Sequence, residues 1–104
     1  MDKNELLHLF SSVFSLDRDG MTLYFNRNNL ADCDKVLNEF DEIRAKVYEY
    51  LWNVSQPNLT LNIVQIEALS FSFLKENYPW INEKGFKALN RYIHWICWHE
   101  GILK

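Results

Sequence analysis

The chain has 104 residues, 48% hydrophobic and 24% charged, with a formal net charge of −3 at pH 7. That length suits one domain with a real core. An excess of acid (11 basic against 14 acidic residues) excludes the basic footprint of a general nucleic-acid binder, and no stretch approaches the roughly 18 apolar residues of a membrane span.

Three glycines and two prolines are too few for an all-β chain with regular turns. We expect an all-α fold: a compact single-domain bundle of about four main helices over residues 1–104, with a short extended segment near 21–25. The first helix is predicted from Lys3 to Phe14, with Leu6, Leu7, Phe10, Val13 and Phe14 at helical spacing. Between Leu16 and Asn29, Asp19-Gly20 reads as a turn and Met21-Thr22-Leu23-Tyr24-Phe25 as a short strand or clip. This stretch is expected to form a packed loop or minor hairpin.

The second main helix is predicted from Leu30 to Val54, along the stripe Val36, Leu37, Phe40, Ile43, Val47, Tyr50, Leu51 and Val54. Ser55-Gln56-Pro57-Asn58 ends it, because proline disfavours helix at the preceding residue. The third is predicted from Thr60, as its cap, to Asn77, despite the strand-like alternation Ser70-Phe71-Ser72-Phe73. Tyr78-Pro79-Trp80 breaks it. Asn82 then caps a last helix with Glu83 in its first turn, and Gly101 lies just past its end.

No constellation carries enzymatic chemistry. Asp17-Arg18-Asp19-Gly20 lacks the acidic twelfth position of a calcium loop, where Asn28 stands. His94 and Cys97 share a helix face, but two ligands do not close a zinc site and His99 projects elsewhere. There is neither a glycine-rich phosphate loop nor a nucleophile elbow. The protein is therefore expected to be no enzyme and to need no cofactor or metal. Cys33 and Cys97 are expected to be free thiols. The N-terminus opens with mixed charges and no apolar leader, which makes the cytoplasm the expected location.

The imbalance of charge is local. Residues 32 to 49 hold six acids and three bases; the remainder holds eight of each. Opposite the apolar stripe of that helix lie Asp34, Asn38, Asp41, Ala45, Tyr48 and Trp52, flanked by Glu42 and Glu49. Acids steer a basic partner and aromatics anchor it, so Asp34, Asn38, Asp41, Glu42, Tyr48, Glu49 and Trp52 form the predicted partner-binding face. A second candidate surface is Lys87, Arg91, Trp95 and Trp98, on the side of the last helix away from Phe86, Leu89, Ile93, Ile96 and Cys97. It would serve a homodimer, or a helical regulatory or oligomeric subunit.

In its size, acidic helix and aromatic surface, carried by Asp34, Asp41, Glu42, Tyr48, Glu49 and Trp52, the chain resembles bacterial immunity proteins of the contact-dependent growth inhibition type. The resemblance implies binding to a cognate protein toxin, often a cationic nuclease domain, and neutralisation by occlusion without a cofactor.

Overall fold

The computed structural model describes residues 2–11, 17–55 and 60–102. The described residues form five helices: α1 (Lys3–Ser11), α2 (Arg18–Arg27), α3 (Cys33–Ser55), α4 (Ile63–Asn77) and α5 (Glu83–His99). The all-α expectation holds, with five helices in place of four.

The extra helix is α2, in the stretch read as a loop with a short strand. Asp17 is its N-cap, its carboxylate accepting from the Gly20 N–H at 2.7 Å, so the Asp-Gly pair opens a helix instead of turning the chain. Met21 and Phe25 stand one helical turn apart and are buried. At its end Asn29 takes the left-handed conformation (φ 56°), with the Leu30 N–H bonded to the Phe25 carbonyl and the Asn29 N–H to that of Asn26. This is a Schellman closure with asparagine in the position usually held by glycine.

The remaining boundaries shift by small steps. The predicted 12–14 end of α1 lies outside the described residues. Leu30 to Asp32 precede α3 without joining it, and Asp32 is left-handed at φ 63°. Asn62 caps α4, not Thr60, and exchanges reciprocal hydrogen bonds with Gln65. Asn82 caps α5 as predicted, and Gly101 at φ 78° closes it. There the Ile102 N–H bonds the Cys97 carbonyl, and Ile102 is buried.

One core runs through the molecule, with Leu7, Phe40, Leu51, Ile66, Leu89 and Ile93 among its buried side chains. The helix α3 supplies Leu37, Phe40, Ile43, Val47 and Leu51 from the predicted stripe. At the other end of the α4–α5 pair, the Leu61 N–H donates to the Ile102 carbonyl at 2.9 Å, tying the chain before α4 to the chain after α5.

Helices α1 and α5 meet through a buried amide. Asn4 is 4% exposed. Its Nδ2 donates to the Trp80 carbonyl (3.1 Å) and to Asp2 (3.2 Å), and its Oδ1 accepts from the Asn82 N–H (3.0 Å). Gly85 faces the same amide, and a Cβ there would collide with Asn4 Oδ1 and press on Ile81. Gly85→Ala should cost about 1–3 kcal/mol by overpacking, measured by urea unfolding. In an Asn4→Ala background the same substitution should cost measurably less, because the obstructing oxygen is gone. Equal costs in the two backgrounds would show that the clash is relieved elsewhere.

Candidate functional site

The outer face of α3 has two unlike halves. In the first, Asp34, Asn38, Asp41 and Glu42 are all exposed. Arg18 reaches over from α2, its Nη1 at 2.6 Å from Asp41 and its Nη2 at 2.9 Å from Asn38. The fork spans one turn of α3. Both partners are near half exposure, so the bridge adds little stability but cancels one acid of the face. Among the described residues no ion pair involves Asp34, Glu42 or Glu49.

The second half is aromatic. Tyr48 is half-buried and Trp52 is 40% exposed, with ring centroids 6.2 Å apart. Burial pushes the Tyr48 phenol up from its ordinary pKa, and Glu100, Cys97 and Tyr92 of the α5 side add to the rise. On α5 Tyr92 lies 6.2 Å from Trp95, and Trp95 stacks on His99 at 5.3 Å. The Arg44 guanidinium sits between Phe10 (4.5 Å) and Tyr92 (4.8 Å), and one of its N–H groups donates to the Phe10 carbonyl. Desolvation lowers its pKa, as burial of a cation must.

Helices α3 and α5 thus pack side by side, joined here by Arg44 and Tyr92. Trp95 is 53% exposed and Trp98 67%, and Lys87 and Arg91 are exposed as well. The helix α5 therefore buries one side and exposes the other. Lys87 pairs with Glu83 at 3.1 Å. The set differs from expectation chiefly by the addition of Arg18, Tyr92, His99 and Glu100. Arg18 could not be placed while its segment was read as a loop. The other three become visible only when α3 and α5 are side by side.

A separate groove of about 760 Å³ lies between α4 and the first half of α5. Phe71, Leu74 and Phe86 form its apolar wall, and Glu67, Lys75 and Asn90 stand along it. Phe71 is 50% exposed and meets Phe86 edge-on at 5.3 Å.

Among the described residues no three His, Cys, Asp or Glu side chains converge on a metal position, and no helix is long and apolar enough to cross a membrane. His94 faces Glu67 at 3.4 Å, and His99 faces Glu100. Cys97 is fully buried, and burial raises its thiol to about 11. A metal ligand or nucleophile needs the opposite shift. No protein-family model matches the chain, and no curated protein or solved structure matches it significantly.

Two measurements follow from this geometry. Acrylamide should quench the native tryptophan emission strongly, and Trp95→Phe/Trp98→Phe should lower the Stern–Volmer slope, leaving Trp52 and the shielded Trp80. An unchanged slope would place the two indoles inside the fold. The Cys97 thiol, ordinary value 9.0, ionises more readily in the unfolded chain than in the fold. Its contribution is therefore intact below pH 9 and lost as pH rises toward 11. Burial raises the Tyr92 and Tyr48 phenols as well, which gives the same sign as pH rises above their ordinary 10.0. Urea midpoints should fall through the thiol window, and less steeply for Cys97→Ala.

Proposed function

We propose that this protein is an immunity-type inhibitor, which binds a cognate bacterial toxin domain with a cationic, nuclease-like surface and neutralises it by occlusion. One observation carries the reading. Acids that take part in no ion pair among the described residues (Asp34, Glu42, Glu49) and large aromatics (Tyr48, Trp52) occupy one outer face of α3, and α5, packed beside α3, carries a second exposed aromatic group. Charge on such a face speeds encounter with a basic partner, and aromatics at its centre hold the partner once docked.

The fork on Arg18 supports the same chemistry from within. Asn38 and Asp41 already hold a guanidinium in a two-point grip, which a partner's arginine could share or replace. The acids would occupy the cations with which the toxin holds its substrate, and Trp52 would fill a pocket beside them. No catalytic step by this chain is needed. Such an inhibitor acts in the cytoplasm, where its toxin would otherwise reach nucleic acid.

Affinity capture from the native organism, followed by kinetics on the captured domain, tests this. The captured protein should be a cationic domain whose activity falls on binding, with an association rate that drops steeply with ionic strength. Asp34→Ala/Asp41→Ala/Glu42→Ala should slow association at low salt by about tenfold or more. Trp52→Ala should accelerate dissociation, at a cost of about 2 kcal/mol if it is an anchor. Salt-insensitive binding, or full binding by the triple variant, would rule out the acidic face.

A further inference from the structure

We propose that the protein forms a two-fold symmetric homodimer through the α4–α5 groove, with the two α4 helices antiparallel and crossing at Phe71. The exposed side of α4 carries Val64 (75% exposed), Ala68 and Phe71 (50% exposed) at helical spacing, beside the groove closed off by Phe86. Isolated exposed apolar residues need no explanation, but a strip of them along a groove marks a contact surface.

The charges around the strip identify the occupant. Glu67 precedes Phe71 by four residues and Lys75 follows it by four, so the three lie on one row of the helix surface. A two-fold axis through Phe71 sets Glu67 of one copy opposite Lys75 of the other, twice over. The contact is thus complementary to itself, as a symmetric interface must be. Among the described residues Lys75 has no ion pair; its ammonium lies 5.8 Å over the Phe71 ring.

A neighbour on α5 holds the acceptor of this pair. Asn90 donates to Glu67 at 3.2 Å. A lysine ammonium arriving at Glu67 therefore meets a carboxylate whose position is already set. The rim charges Glu67, Glu83, Lys75 and Lys87 also cancel, so two copies of a protein with a net charge of −3 meet here without the repulsion that the acidic α3 face would cause.

The groove lies away from that face. Phe73 stacks on Tyr50 of α3 at 4.9 Å, and Phe71 stands about 160° around the helix from it. Dimerisation therefore leaves Asp34, Glu42 and Trp52 open, and the proposal stands or falls separately from the toxin-binding one.

Sedimentation velocity over a concentration series of the whole chain tests it. We expect a monomer–dimer equilibrium, abolished by Phe71→Asp with the circular dichroism spectrum unchanged. Lys75→Glu should weaken the dimer by about tenfold or more, by setting like charges opposite each other. Adding Glu67→Lys to it should restore the dimer. The variant Asp34→Ala/Asp41→Ala/Glu42→Ala should dimerise as the parent does. A parent chain monomeric throughout its soluble range, or a dimer that survives Phe71→Asp, overturns the proposal. A charge swap that fails to restore association overturns the crossing at Phe71.

Discussion

A single buried amide sets the relation between the two ends of the chain. Asn4 lies between α1 and the start of α5, where an unpaired amide would cost several kcal/mol, about what a core leucine contributes. It is tolerated because both its oxygen and its nitrogen find backbone or carboxylate partners. Those partners are specific: the Trp80 carbonyl and the Asn82 N–H belong to the turn that leads into α5. The amide therefore fixes the axial position and rotation of α5 against α1, and Gly85 makes the close approach possible. With Leu89, Ile93 and Cys97 turned inward by that docking, Trp95 and Trp98 have nowhere to go but outward.

The rotation of α5 in turn shapes the outer surface. Tyr92 comes to rest over Arg44, and Arg44 over Phe10, so a cation fills the junction of α1, α3 and α5 where another protein would place an aliphatic side chain. Two aromatic pairs stand near it, Tyr92 with Trp95 on α5 and Tyr48 with Trp52 on α3. Acidity dominates one part of α3, aromatic area the other, and α5 carries aromatic area of its own. The far side of the α4–α5 pair is different in kind: neutral, apolar and grooved. The molecule thus presents two surfaces of different character, one with an excess of acid and one whose charges balance.

Much of this was legible in residue order, and the failures have physical causes. The α3 stripe is long and strictly periodic, and five of its eight members, Leu37, Phe40, Ile43, Val47 and Leu51, are buried. The cap at Asn82 and the left-handed Gly101 use local chemistry that survives in any tertiary setting. The helix α2 was missed because Thr22, Tyr24 and Phe25 favour strand and Asp-Gly favours a turn. Packing of Met21 and Phe25, with a cap at Asp17, outweighs those weak preferences. Arg18 was lost with it, and so was the neutralisation of Asp41. The candidate face on α3 was readable from periodicity alone, since exposure of Asp34 or Trp52 depends on one helix. The groove was not, because Phe71 and Phe86 become neighbours only when α4 and α5 are antiparallel.

The α4–α5 hairpin is closed at both ends. At one end the Tyr78 carbonyl accepts from the Ile81 N–H; at the other, Leu61 donates to Ile102. A pair of helices joined only by its connecting turn can splay, and a groove between such helices widens and narrows with thermal motion. Here the second clasp removes that freedom, so the shape of the groove is settled before anything enters it. Most of the ordering entropy is then spent during folding and not at the moment of association. A surface of this kind discriminates by shape, and favours an equally rigid counterpart over a segment that must order itself on arrival.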